Sequence, residues 1–511
     1  MQRTKQSIKN ASFSIVCQGI QQLLKVIVRI VFIRVIGQEY LGLNSVFTDI
    51  LTALQLVELG VGPAIAYSLY KPLAENDIQK VKSIMSLFKK TYRIIGLIVL
   101  ILGICFTPFY SFFINEIPDI PNMNFIYLIF VFDTAVSYLY SYYRTLLISD
   151  QKKYIDILIQ TAVISAISIL QIILIIITHN YIFYILAQVI GTILTNFIAS
   201  RFALKEYPYL NDKDIKKLDV QTYGEIKKNV FAMIFHKIGS IVRDATDNLL
   251  ISKYIGLAIS GIYSNYSMII RALTNIISQL FTAVLSSVGN LHVKANEKDK
   301  ITVFYNINFI NFWIASFCAC CFGALINPFI LIIADESYLL SPFVTCLITL
   351  RFYLDVMRKT PWMFCEAAGI YWKGRTKPLI EVAVNLVTSI ILAKYIGIAG
   401  IFVGTIITIL AVDVTIEPYL AFKYVLKDKI WKYYLRYIVY LFIFIIMFTS
   451  ANLTSSLIHG NEISSFVLKA IITVVTTNIL VIVITFRTNE FKYVKILAKG
   501  YTGQLIKKIK K

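Results

Sequence analysis

Apolar residues run along this chain in long blocks, broken by short clusters of Lys, Arg, Asp, Asn, Gly and Pro. A helix crossing a bilayer uses about 20 mostly apolar residues, and the blocks meet that length again and again. Reading them between their polar breaks predicts spans near 11–36, 42–70, 93–115, 125–149, 155–178, 182–203, 229–254, 259–290, 303–333, 342–367, 377–396, 399–423, 434–458 and 465–487, fourteen in all. Blocks 42–70 and 259–290 exceed a bilayer's thickness, so each is expected to tilt, bend or project into water. Gly60, Gly62 and Pro63 sit inside the first of these and predict a bend there.

The polar breaks are unequal in charge. Sorted alternately, the loops and termini of one side carry 36 Lys and Arg and those of the other only Lys253 and Lys394. Cytoplasmic loops carry the excess of basic residues, so both termini are expected in the cytoplasm and the number of spans is expected to be even. The start, Met1 to Ala11, is basic and leads into an apolar stretch too long for a signal peptide, so it is read as a retained first span.

Composition narrows the class. Of 511 residues, 57% are hydrophobic and 15% charged, against about 45–50% and about 25% in soluble domains, which excludes a soluble enzyme. The net charge of +21 has to sit at membrane surfaces or face an anionic ligand; nucleic acid fits less well, because the basic residues are not gathered in a polar domain. All seven cysteines lie in apolar blocks, with no CxxC pair and no His at ligand spacing, so neither a metal nor a cofactor is expected. P-loop, HExxH and GxSxG motifs do not occur, which removes ATP hydrolysis and predicts a protein that is not an enzyme.

An internal repeat appears at an offset of 219 residues, pairing Ile36 with Ile255, Gly37 with Gly256, Gly42 with Gly261, Ser45 with Ser264, Ala53 with Ala272, Leu54 with Leu273 and Ala64 with Ala283. An offset of six helices keeps both copies in the same orientation, a parallel repeat. The fold class that follows is an all-α integral membrane protein of fourteen helices, two six-helix lobes around a central cleft plus two C-terminal helices. Its divisions are an N-lobe at 1–203, a cytoplasmic linker at 204–228, a C-lobe at 229–424, spans 13 and 14 within 425–487, and a basic tail at 488–511.

Charge at a helix centre costs about 2.5–3.5 kcal/mol on insertion scales, so residues held there line water, meet a partner or bind something. In span 1, Gln18, Gln22, Lys25 and Arg29 fall on one helical face, and no acid precedes Glu39. Span 7 repeats the device with His236, Ser240, Arg243 and Asp247, with Asp244 beside the stripe and Asn248 extending it; Asp247 stands at i+4 to Arg243 and offers it a partner. Asp49 and Glu58 in span 2 are candidate counter-charges for span 1. Span 8 carries Arg271, Asn275 and Gln279 at steps of four, with Tyr263 and Tyr266 above. Amides and hydroxyls suit sugar hydroxyls, and guanidinium groups suit phosphate.

In span 10, Arg351, Asp355, Arg358, Lys359, Trp362 and Glu366 intersperse acids with bases, which predicts pairing within the span. Asp413 and Glu417 sit one turn apart in span 12; they are candidates for ion coupling, or else for simple pairing to Lys423 or Arg436. Asp244 and Asp247 are the other candidates for sensing a coupling ion.

The stretch from Ile36 to Ile65, IGQEYLGLNSVFTDILTALQLVELGVGPAI, followed by a basic loop, resembles bacterial polysaccharide flippases of the O-antigen and capsule repeat-unit type. These belong to the multidrug, oligosaccharidyl-lipid and polysaccharide exporter superfamily. The resemblance implies two six-helix lobes in a V, alternating access, and a cation-lined cavity for an undecaprenyl-pyrophosphate-linked oligosaccharide, with Lys25, Arg29, Arg243 and Arg271 meeting pyrophosphate or acidic sugars and Gln22, Asn275 and Gln279 beside them. It places the chain in the bacterial cytoplasmic membrane, with membrane lipids and polysaccharide polymerase machinery as expected partners. Lipid-linked peptidoglycan precursor flippases are the nearest rival. Drug antiporters of the superfamily are a poorer likeness, since they rely on an acid in the first helix where this chain has Lys25 and Arg29.

Overall fold

A computed structural model describes residues 2–496 apart from 59, 115–118, 151, 213, 217, 221, 225, 228, 229, 231–245, 295, 371 and 461. The described residues are helical, with turns and short connections and no strand. Nine helices are long and apolar enough to cross a membrane, or eleven when each of two sharply bent pairs counts as one span, so the described residues account for nine to eleven of the fourteen expected crossings. The block 229–254 is described only in part, with 246–254 helical. The block 259–290 is one long helix, and 342–367 is a helix broken at Arg358.

The chain forms two compact units, Met1–Gly261 and Ile262–Lys511. The first contains α1 (Gln2–Val35), α2 (Gln38–Leu54), α3 (Val61–Glu75), α4 (Ile78–Cys105), α5 (Met123–Ser137), α6 (Ser141–Ser149), α7 (Lys153–Thr178) and α8 (Tyr181–Glu206). The expected bend in the second block is a true break: α2 ends at Leu54, one tight turn covers Gln55–Glu58, and the chain passes Gly60 in the left-handed conformation before α3 begins. A second break, of 42°, separates α5 from α6 at Tyr138–Tyr140, with Tyr140 at φ +66°.

Between helices in lipid the hydrophobic effect supplies little, so cohesion rests on close packing and polar pairs. In this unit Phe47 meets Tyr110, Tyr127 and Phe130 edge-on at 5.1–5.8 Å, and α1 is tied to α7 by Gln21 Nε2 donating to Thr161 Oγ1 at 2.8 Å.

The repeat is visible in the backbone. Gly37 and Gly256 both have positive φ, +100° and +134°, each just before its helix, α2 and α9 (Leu257–Lys294). A Cβ on Gly42 would lie 2.0 Å from the Leu257 carbonyl oxygen, and one on Gly261 would lie 2.4 Å from the Gln38 carbonyl oxygen. At the offset of 219 residues Gln38 is the counterpart of Leu257 and Gly42 of Gly261. The two contacts are therefore mirror copies, a two-fold-like crossing in which each segment meets the other with its own glycine.

The second unit contains the rest of α9, α10 (Glu297–Ile333), α11 (Pro342–Met357), α12 (Lys359–Ala367), α13 (Lys377–Ile396), α14 (Ile398–Leu426), α15 (Trp431–Ser456) and α16 (Ile463–Thr485). Its core is aromatic: Tyr353 stacks on Phe444 at 4.0 Å and Phe312 on Tyr440 at 4.3 Å, while Phe304 packs among Phe364, Phe422 and Tyr433. The last two helices join this core, α16 through Trp313 Nε1 donating to Asn478 Oδ1 at 3.0 Å.

Candidate functional site

In unit 1 the polar stripe of α1 is confirmed as one face but is graded in exposure: Lys25 is exposed, while Gln18, Gln22 and Arg29 are half-buried. Arg29 lies within electrostatic reach of the Tyr181 and Tyr184 hydroxyls on α8, whose rings stack at 5.9 Å. Asp49 is buried and accepts from Asn248 Nδ2 at 2.7 Å, and Asp247 is buried as well. Glu58, the other acid offered by span 2, accepts from Tyr92 Oη at 2.8 Å. His236, Ser240, Arg243 and Asp244 lie outside the described residues.

In unit 2 Arg271, Asn275 and Gln279 are exposed along one face of α9, with Arg271 Nη2 donating to Ser267 Oγ at 3.1 Å. The tyrosines above them turn inward. Tyr263 accepts from Arg351 Nη1 at 3.1 Å, and Tyr266 donates to Asn327 Oδ1 at 2.8 Å while accepting from the Leu340 N–H at 2.9 Å. Both rings are buried, so they brace the helix rather than extend its polar face.

Asp413 and Glu417 are fully buried, and neither of the partners suggested by sequence is theirs. Lys423 donates to Tyr419 Oη, and Arg436 pairs with Glu490. The carboxylates instead meet Arg358, at the break between α11 and α12, and Lys377, at the start of α13. Arg358 reaches Glu417 at 2.7 Å, Asp413 at 3.2 Å, Asp355 at 3.4 Å and Glu381 at 3.6 Å. Lys377 reaches Glu417 at 2.7 Å and Glu381 at 3.0 Å, and pairs with Asp413 as well.

Pairing within span 10 thus holds for Arg358 with Asp355, but it is the weaker part of a network over three spans. A widened helical turn at Ile409–Asp413 lies just before this point in α14, where Asp413 and Glu417 share a face at i, i+4. The network joins Arg358 and Lys377 to Asp355, Glu381, Asp413 and Glu417. Sequence reasoning missed Lys377 and Glu381; the available signal was an opposite-charge pair at i, i+4 opening a span, hidden because Lys377 was read as a loop residue.

Unit 1 carries a smaller counterpart. Arg144 on α6 donates to both oxygens of buried Asp156 on α7, at 2.6 and 3.3 Å, and to Asn196 Oδ1 on α8 at 3.4 Å, while Gln160 Nε2 adds a bond to Asp156 at 2.7 Å. Among the described residues no group of three or more His, Cys, Asp or Glu is arranged to hold a metal ion.

The family model for polysaccharide biosynthesis proteins matches residues 7–286. Among solved structures, the lipid II flippase MurJ in an inward closed conformation superposes with a TM-score of 0.67 at 16% identity, over 92% of this chain and 98% of that one. An inward-facing multidrug resistance MATE family transporter of the MOP superfamily gives 0.63 at 12% identity, over 78% and 96%. A MOP superfamily transporter from Pyrococcus furiosus, described as having a binding pocket of reversed polarity, gives 0.53 at 12% identity, over 83% and 97%. At these identities the likeness carries the fold. No curated protein sequence matches the chain. The chain is a multi-pass membrane protein with the fold of MOP superfamily transporters, and it belongs to the polysaccharide biosynthesis protein family.

Proposed function

We propose that the chain is a flippase and not an enzyme: it moves a polyprenyl-pyrophosphate-linked oligosaccharide repeat unit from the inner to the outer leaflet of the cytoplasmic membrane by alternating access. The product would feed export of a surface polysaccharide such as O-antigen or capsule, with both termini in the cytoplasm and the polymerase machinery downstream. The observation that carries the reading is that each unit presents a face rich in cations and amides: Gln22, Lys25 and Arg29 on α1, and Arg271, Asn275 and Gln279 on α9. A head group of many hydroxyls and a pyrophosphate needs such a lining, because each polar group taken into hydrocarbon without a partner costs several kcal/mol. Cations offset the phosphate charge and amides replace water on the sugars, while the polyprenyl tail stays in lipid. Alternating access then follows the usual scheme of one bundle moving against another.

Coupling to an ion, in this reading, acts through Asp413 and Glu417. They share one buried network with Arg358, Lys377 and Glu381, so a proton or alkali cation taken up there changes the pairing of three spans at once. Asp244 and Asp247 are the alternative acids for that role.

Transport of a lipid-linked peptidoglycan precursor is the second reading, favoured by the superposition on a lipid II flippase. A cation-coupled drug exporter fits less well, because α1 carries Lys25 and Arg29 and no acid. The deciding experiment deletes the gene and identifies the lipid-linked glycan that accumulates on the inner leaflet. Accumulation of a repeat-unit oligosaccharide supports the proposal, and a peptidoglycan precursor supports the second reading. Altered drug resistance with intact glycan display overturns both. Arg29→Ala should abolish export with the protein still inserted, and Lys508→Ala should leave it intact.

A further inference from the structure

Away from the exposed faces of α1 and α9, the first half of α4 and the start of α6 form the walls of a cavity of about 260 Å³. Lys82, Lys89, Lys90 and Arg93 of α4 and Tyr142 and Tyr143 of α6 line it, and the connection after α8 closes one side. Lys82, Lys89 and Arg93 fall at steps of seven and four and so share one face of the helix. The connection is fixed in place: Ser83 Oγ donates to the Lys216 carbonyl at 2.7 Å, and Lys80 meets Asp219 at 3.8 Å.

Charge in this cavity is not balanced. Lys82, buried, is paired with Asp212 at 3.2 Å. Lys89, Lys90 and Arg93 have no acidic partner among the described residues. Arg93 lies within electrostatic reach of the Tyr142 and Tyr143 hydroxyls, which bond to each other. Three like charges drawn into one concavity repel, and a bound anion relieves that repulsion. The concavity offers an anion ammonium, guanidinium and phenol donors together, the set that suits phosphate oxygens. By loop charge this end of α4 is the cytoplasmic end, where basic pockets between helices meet phosphate-bearing lipids.

We propose that this cavity is a binding site for a phosphate-bearing anionic headgroup, separate from the faces assigned to the transported glycan. The ligand chemistry is shared by an anionic membrane lipid and by a soluble phosphorylated molecule, and the test separates them. Purified, delipidated full-length protein in detergent is titrated with phosphatidylglycerol, with phosphatidylcholine and, in a separate arm, with inorganic pyrophosphate, each followed by native mass spectrometry. A basic residue near an anionic surface is worth roughly fivefold in affinity, so Lys89→Gln/Arg93→Gln should weaken phosphatidylglycerol binding about 25-fold.

The charge-conserving Lys89→Arg/Arg93→Lys should bind as the unaltered protein does, and phosphatidylcholine should bind weakly and indifferently. Binding of phosphatidylglycerol alone identifies a lipid site, and pyrophosphate binding that the Gln pair abolishes identifies a site for soluble phosphate as well; either supports the proposal. Unchanged binding of both by the Gln pair overturns it, as does an equal loss in the charge-conserving pair. Should the Gln pair fail to fold, Lys90→Gln, at an exposed residue, carries the same test with an expected loss of about fivefold.

Discussion

Replacing Arg358 with Met removes a cation that faces Glu381, Asp413 and Glu417, all three buried. A pair about 4 Å apart interacts by about 4 kcal/mol at an effective dielectric of about 20. Breaking a buried pair from one side typically costs about 3–5 kcal/mol, because the remaining charge keeps its desolvation penalty and loses its compensation. For a cooperative unit of this size, roughly 2–4 °C of melting temperature accompany each kcal/mol, so Arg358→Met should lower the midpoint by on the order of 10 °C. Intrinsic fluorescence during heating of the full chain in detergent reads this directly. The second arm is Arg358→Met/Glu417→Gln, which restores the original difference between buried acids and bases and should recover at least half of the lost stability. A single variant as stable as the unaltered protein, or a double variant no better than the single, would refute the argument that charge balance holds α11, α13 and α14 together.

Other perturbations test separate parts of the fold. Gly42→Ala and Gly261→Ala each place a methyl against backbone across the α2–α9 crossing, and each should lower the melting temperature by several degrees; Gly19→Ala, with nothing within 4 Å, should leave it unchanged. Trp313→Phe removes the donor to Asn478 and should cost about 1 kcal/mol, measured as earlier unfolding in the same assay. Lys152, in the connection before α7, is partly buried, which disfavours its charge, but the hydrogen bonds it donates to Glu206 and Asp150 outweigh this and hold its pKa above the usual lysine value. A raised pKa means its contribution is complete below the unfolded value and fades only as the pH rises through the folded one. Lys152→Met should therefore lower the melting temperature by the same few degrees at every pH from about 6 to 9.

Much of the architecture is legible in the sequence because a bilayer imposes one dominant requirement, twenty apolar residues between polar ends. One glycine signal was equally readable, since Gly60 marks the break after α2, whereas Gly42 and Gly261 showed only as repeat partners and their crossing appears in the structure. The break at Tyr138–Tyr140 carries no glycine or proline, and the local pattern runs straight through it. Partners of buried charges were also hidden. Nothing near Asp413 in the chain points to Lys377, 36 residues earlier, because their meeting depends on how α13 lies against α14. Tyr263 and Tyr266 show the same limit: the sequence set them above Arg271 in span 8, and only the tertiary bonds to Arg351, Asn327 and Leu340 show that they face inward.

The two buried networks, compared with each other, separate a strut from a responsive element. At the offset of 219 residues, α5 with α6, α7 and α8 correspond to α11 with α12, α13 and α14. In each copy the first of the three is broken, at Tyr138–Tyr140 and at Arg358, and an arginine at or just past the break reaches the two helices that follow. In unit 1 that arginine, Arg144, meets one carboxylate and one amide, and the charges cancel. In unit 2 the arrangement is larger, with Lys377 and Glu381 on α13 and two acids, Asp413 and Glu417, on α14. The difference is measurable. Arg144→Met/Asp156→Asn removes a balanced pair and should restore nearly all of what Arg144→Met loses, with no dependence on salt or alkali cation. Asp413→Asn removes one of several carboxylates that share Arg358 and Lys377, so it should cost less than Arg358→Met, and the cation dependence of transport should change in Asp413→Asn but not in Asp156→Asn. Equal cation dependence in both variants would mean that the larger network of unit 2 has no part in coupling and that both networks are struts.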